Sequence, residues 1–93
     1  MKKKNDRKKA VALRYDEAKD SAPKVIAKGA GLIAERIIDL AEKHGIHTYK
    51  DPDLVEVLSA VEIDTEIPRE LYRAVAEVLA FVYKLKKKQK ALS

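Results

Sequence analysis

The sequence contains no cysteine and no tryptophan, a single phenylalanine, and only three residues each of glycine and proline. Without cysteine there is neither a disulfide nor a thiolate metal site. Long apolar runs are missing too. The longest is six residues, Val78 to Tyr83, against roughly 20 for a membrane-spanning helix. The basic start runs into Ala10-Val11-Ala12-Leu13-Arg14, too short an apolar stretch for the core of a secretory signal. The expectation is a soluble, cytosolic protein. What is present is 46% apolar and 38% charged, too apolar for a disordered chain and polar enough for a small domain with much surface. At 93 residues there is room for one domain.

The formal net charge of +5 is unevenly placed. Residues 1–9 carry six basic side chains and one acid, and residues 84–93 carry five Lys and no acid. Residues 10–83 hold 9 basic and 14 acidic side chains, a net −5. A nucleic-acid-binding domain usually gathers its positive charge on a folded face. Here the lysines sit at the ends, where the plain reading is a solvated, solubilising tail. The alternative is a nucleic-acid or anionic-membrane surface binder working through these Lys-rich tails.

Residues 1–8 have no apolar side chain after Met1 and read as a basic, disordered tail. Lys9 to Asp16 alternates, with Val11, Leu13 and Tyr15 on one face, and predicts a strand. Glu17 to Pro23 is a polar connector closed by Pro, which pushes Ala22 to extended geometry. Lys24 to Lys28 predicts a second short strand. Gly29-Ala30-Gly31 then opens a helix on which Leu32, Ile33, Ile37, Leu40 and Ala41 fall at helical spacing. Lys43-His44-Gly45 is a stop signal, with Gly45 available for a left-handed cap. Ile46 to Tyr49 predicts a third strand. Asp51-Pro52 starts a second helix, Asp as N-cap and Pro in the first turn, with Leu54, Val55, Leu58 and Val61 as its apolar stripe. Glu62 to Ile67 reads as an acidic connector. Pro68 opens the last helix, expected to run to about Lys86. From Ala74 to Tyr83 only Glu77 is polar, so this helix is either buried on most sides or leaves an apolar strip for a partner.

The order predicts an α/β domain: a small three-stranded sheet packed by three helices, with one β-α-β unit expected to be parallel and right-handed. The domain spans residues 9–86, between the 1–8 tail and a basic C-terminal tail, 87–93.

Little catalytic chemistry is visible. His44 and His47 have no Cys partner and no spacing suited to a metal. No Gly-x-Ser-x-Gly surrounds Ser21, Ser59 or Ser93. Gly29-Ala30-Gly31 lacks the remainder of a phosphate loop and reads as a tight strand-to-helix turn. Glu62, Asp64 and Glu66 lie in a solvated connector. No metal, cofactor or enzymatic activity is expected.

Three blocks carry a family resemblance. They are Ala10-Val11-Ala12-Leu13-Arg14-Tyr15-Asp16, Ala22-Pro23-Lys24-Val25-Ile26-Ala27-Lys28-Gly29, and Glu66-Ile67-Pro68 leading to Leu71 through Tyr83. They resemble, in order, the FlhB/YscU family of export-switch proteins of flagellar and virulence type III secretion, nearer the flagellar branch. The resemblance covers about residues 9–86. It implies a four-stranded sheet in the full domain, of which this chain supplies three strands. One sheet edge is then open and can accept a strand from a partner.

The family cleaves itself at Asn-Pro-Thr-His. The corresponding place here reads Asn5-Asp6-Arg7-Lys8, a degenerate site, so no self-cleavage is expected. The resemblance also implies a free-standing counterpart of the cytosolic C-terminal part, without the membrane domain. Its implied place is the cytoplasm, at the periphery of the inner-membrane export apparatus. Its implied function is non-catalytic binding of export substrates or apparatus proteins, with no nucleic acid. The family's substrate-docking patch matches Ala22, Pro23, Ala76 and Leu79. Ala76 and Leu79 are three apart on the most apolar helix and share a face.

Overall fold

A computed structural model describes residues 8–92, with side chains through Leu85. All but Lys8 of the expected N-terminal tail, and with it Asn5, Asp6 and Arg7, lies outside the described residues.

Two long strands form where alternation and β-branching predict them: β1, Lys9–Arg14, and β2, Lys24–Ala30. They pair antiparallel, with Ala10 opposite Gly29 and Val11 opposite Lys28. The register shifts between Ala12 and Leu13, so that Leu13 meets Val25 and Ile26 is the extra, unpaired residue of a bulge. Gly31, at φ 61, turns β2 into α1, Leu32–Lys43. Helix α1 ends as Lys43-His44-Gly45 predicts. The Gly45 N–H donates to the Glu42 carbonyl (3.2 Å) and the Ile46 N–H to the Ala41 carbonyl (2.8 Å). With Gly45 at φ 70, this is the paired closure of a Schellman motif. The second helix, α2, Pro52–Leu58, has Pro52 in its first turn, and the Asp51 carboxylate accepts the Leu54 N–H at 3.1 Å.

The third strand is elsewhere than expected. Residues 46–51 form neither helix nor strand. Ile46 is consumed in closing α1, and Tyr49 instead packs edge-on against Phe81, ring centroids 5.3 Å apart. Strand β3 is Thr65–Glu66, inside the stretch read as an acidic connector. A left-handed Asp64 (φ 69) leads into it. The Asp64 N–H donates to the Val25 carbonyl (2.6 Å) and the Ile67 N–H to the Pro23 carbonyl (2.9 Å). The sheet order is β1-β2-β3 and both pairings are antiparallel. The α/β class, three strands and three helices stand. The parallel β-α-β unit does not: two helices, not one, separate β2 from β3, and the chain returns antiparallel.

The last helix, α3, runs Tyr72–Leu92 after a 3₁₀ turn at Arg69–Leu71. It passes the expected end near Lys86, because residues 86–92 hold only Lys, Gln, Ala and Leu, all good helix formers.

The core lies on one side of the sheet. Val25, Leu58, Ile67 and Val75 are at most 3% exposed, with Val11, Leu13, Leu54, Val61, Leu71 and Leu79 packed around them. Burying each such side chain contributes about 1.5–3 kcal/mol. Helix α1 covers the sheet with small residues. Ala34 is fully buried, and a Cβ added at Gly29 would land inside the Ile33 side chain. The helix therefore sits close to the sheet. Of the expected apolar stripe, Leu32, Ile33 and Leu40 are largely exposed.

Candidate functional site

The site begins with the connector between β1 and β2. Asp16 starts it with two turns. Its side chain accepts the Ala18 N–H at 3.0 Å, and its carbonyl accepts the Lys19 and Asp20 N–H groups at 2.9 and 2.7 Å. Asp20 is the one charged side chain in the described core, 7% exposed. Its carboxylate accepts the Asp16 N–H at 3.0 Å and the Arg14 guanidinium through Nε (3.3 Å) and Nη2 (3.1 Å). The Asp16 N–H, and next the Arg14 guanidinium, hold the Asp20 carboxyl below its ordinary value. A buried carboxylate with a forked partner and a backbone donor is a fixed point. It pins the connector to the end of β1.

Beyond that point the chain is tied to β3. The Ser21 hydroxyl donates to Glu66 at 2.7 Å, and the Pro23 carbonyl holds the Ile67 N–H. Ala22, between them, is 2% exposed. On the other side, Tyr72, Ala76 and Leu79 follow one another on α3 at four- and three-residue steps, one face of the helix. Between the two walls lies a cavity of about 190 Å³, lined by Tyr15, Ser21, Ala22, Pro23, Tyr72, Ala76 and Leu79. All four residues expected from the sequence, Ala22, Pro23, Ala76 and Leu79, line it together. Tyr15, Ser21 and Tyr72 were not foreseen. The alternation of β1 places Tyr15 on a strand face, and for Tyr72 the sequence offers only a place within the third block. The i, i+4 step from Tyr72 to Ala76 was the available signal.

The lining is apolar except for hydroxyls. It contains no carboxylate, amine or imidazole, so nothing in it can shuttle a proton near neutral pH. Its volume is below the roughly 300–1,000 Å³ of cofactor and drug sites. It suits one or two apolar side chains. Among the described residues no three His, Asp or Glu are grouped to hold a metal. His44 caps α1 and is exposed, and His47 lies in the coil that replaces the expected strand. Glu62, Asp64 and Glu66 are exposed. Gly29-Ala30-Gly31 is the strand-to-helix turn, with Gly31 as the N-cap of α1. No described helix is long and apolar enough to cross a membrane.

Lys8 is the one described residue of the stretch, 5–8, that the sequence reading matches to the cleavage site. Its carbonyl accepts the Gly31 N–H at 2.8 Å. By antiparallel geometry, that bond makes Lys9 and Ala30 a non-hydrogen-bonded pair. Ala10 and Ala12 then turn their N–H and C=O groups towards β2, and Val11 turns its own away. Among the described residues no backbone group meets those of Val11 on that side. Among the described residues strand β1 is a free edge.

A thin antiparallel sheet, a pinned Ala-Pro corner and an apolar hollow against the last helix define a small α/β domain with one apolar concavity. The chain belongs to the FlhB HrpN YscU SpaS family, whose model matches residues 4–82. It is 48% identical over 85 residues to the uncharacterized protein YlqH of Bacillus subtilis, covering 91% of each chain. It is 54% identical over 79 residues to the flagellar biosynthetic protein FlhB of Salmonella typhimurium, covering 84% of this chain and 21% of that one. This chain thus spans about a fifth of the flagellar protein. The cytoplasmic domain of FlhB from Shewanella putrefaciens superposes with a TM-score of 0.85 at 37% identity, over 89% of this chain and 69% of that one. The PscU C-terminal domain superposes at 0.75 and 31% identity, over 78% and 94%.

Proposed function

We propose that this chain is a non-catalytic binding module of type III export, taking an apolar segment of an export substrate or of an export-apparatus protein into the Ala22-Pro23-Ala76-Leu79 hollow. The observation that carries it is the convergence of those four residues, two on a connector and two on α3, around one apolar cavity. Family membership supplies the setting, the cytoplasmic side of the flagellar or virulence export apparatus. An apolar side chain leaving water for the hollow gains about 25 cal/mol for each Å² it buries. The walls are fixed beforehand by the Asp20 clamp, so little ordering opposes binding.

The reading includes no self-cleavage. The place where relatives carry Asn-Pro-Thr-His holds Asn5-Asp6-Arg7-Lys8. Here the leaving nitrogen would be the Asp6 amide in place of the family's Pro, and no imidazole follows it to transfer the proton. The free edge of β1 is a second contact, open to a strand of an apparatus protein.

Ala76 is exposed at the cavity wall, whereas Ala22 is buried. The decisive variant is therefore Ala76→Asp, since Ala22→Asp would bury a charge and unfold the domain. Calorimetric titration with peptides from the amino-terminal segments of export substrates should show binding to the native chain. Ala76→Asp should lose it, with the thermal midpoint lowered by only a few degrees, the cost of Asp in a helix interior. Equal binding by both chains would overturn the assignment.

A further inference from the structure

The start of α3 brings two cations to the hollow. Arg69, in the 3₁₀ turn, precedes Tyr72 by three residues, and Arg73 precedes Ala76 by three. Tyr72 and Ala76 line the cavity, so at these steps both arginines lie along its α3 wall. At about 100° per residue, Arg73 stands about 60° round the helix from Ala76. Both arginines are exposed. Among the described residues the ion pairs are Lys9 with Glu56 and Arg14 with Asp20, and neither involves Arg69 or Arg73.

The acids around the hollow are engaged or lie further round. Glu66 accepts the Ser21 hydroxyl and stands opposite Lys24 in the β2–β3 pairing. Asp20 is taken by Arg14, and the Asp16 carboxylate accepts the Ala18 N–H. On the connector, Glu17 and Lys19 are both exposed and offset one another in charge. Glu77 is about 100° round the helix from Ala76, beyond Arg73, with Glu70 seven residues before it. The α3 flank of the hollow is thus cationic, although residues 10–83 as a whole are net −5.

We infer that the hollow selects apolar peptide segments that carry an aspartate or glutamate beside their apolar side chains, the carboxylate being received by Arg69 and Arg73. This rests on the docking role assigned to the hollow and adds the charge of the segment it prefers. A guanidinium presents a planar fork that matches a carboxylate, and two of them one turn apart accept it from more than one approach. The apolar contact supplies most of the affinity. The charge at the rim speeds encounter and discriminates between segments, because a lysine in the same place is repelled. A phosphate group would be held by the arginines alone, whereas the apolar hollow beside them rewards a peptide side chain.

The chain ends, residues 1–9 and 84–93, are each net +5, so the experiment has to separate their pull on an acidic peptide from that of the arginines. The probe is one apolar peptide from the amino-terminal segment of an export substrate, synthesised with Glu, Gln or Lys at the two positions flanking its apolar side chains. Calorimetric titration of the intact chain should rank them Glu, Gln, Lys. The Glu form should bind about three- to tenfold tighter than the Gln form, as two rim pairs supply, and the gap should narrow as salt rises. The double variant Arg69→Gln, Arg73→Gln should bind the Glu and Gln forms equally, with the Gln form's affinity and the circular-dichroism melting curve those of the native chain. Equal binding of the Glu and Gln forms by the native chain overturns the inference and leaves the hollow's docking role standing. A preference for Glu that survives in the double variant also overturns it, and assigns the charge effect to the terminal lysines. If no form binds, the docking role fails and this inference fails with it.

Discussion

At the scale of single residues, two positions set local geometry, Asp20 beside the cavity wall and Gly29 where α1 meets the sheet. Asp20 is buried, and its charge is matched by Arg14 and the Asp16 N–H. Its carboxyl is held below its ordinary value in the folded chain. The stability it contributes is therefore present above the unfolded-state value and lost as pH falls through the lowered folded value. Asp20→Asn should destabilise the chain at neutral pH. The gap to the native chain should close as pH drops below the ordinary aspartate range, read by urea denaturation at a series of pH values. A gap constant with pH would deny the clamp its charge. Gly29 is the second position. An added Cβ meets Ile33, so Gly29→Ala should lift α1 from the sheet and cost about 1–3 kcal/mol, the range for overpacking, measured by the same denaturation.

At the scale of elements, what was legible followed from local rules. Caps and stops are local: Asp51-Pro52, Lys43-His44-Gly45 and Pro68 all act as the sequence says. Strands β1 and β2 carry their own alternation or β-branching. Strand β3 carries nothing of the kind. Thr65–Glu66 is two polar, exposed residues, and its pairing is supplied by Pro23 and Val25 across the sheet. Ile46 to Tyr49 fails in the opposite way. The Ile46 backbone N–H is spent on the helix closure and the Tyr49 ring on Phe81, and among the described residues no neighbouring strand is there to pair. The spacing of α1 names large apolar residues, but the close approach at Gly29 leaves room for Ala34 instead. Ala22, Pro23, Ala76 and Leu79 were legible through family resemblance and helical spacing. Tyr15 was not, because the connector that brings it to α3 folds through Asp20, a contact no periodicity reveals.

Element geometry also makes a prediction for β1. The amides of Ala10 and Ala12 point to β2 and that of Val11 points outward. Hydrogen exchange should therefore be slow at Ala10 and Ala12 and fast at Val11. A strand peptide matching the segment that precedes the cleavage turn in flagellar relatives should slow Val11 selectively. Slow exchange at Val11 in the isolated chain would show the edge already covered.

At the scale of the whole molecule, one long helix lines the hollow. Its first half closes an apolar hollow against a connector pinned by one buried carboxylate. The hollow is the claim on which the rest turns. The most direct measurement is an NMR titration of the isotopically labelled chain with an apolar peptide from the amino-terminal segment of an export substrate. The account predicts shift changes concentrated at Tyr15, Ala22, Tyr72, Ala76 and Leu79, with a nuclear Overhauser contact from the peptide to the Ala76 methyl. Changes confined to the exposed face of α1, or scattered over the lysines and abolished by salt, would contradict it.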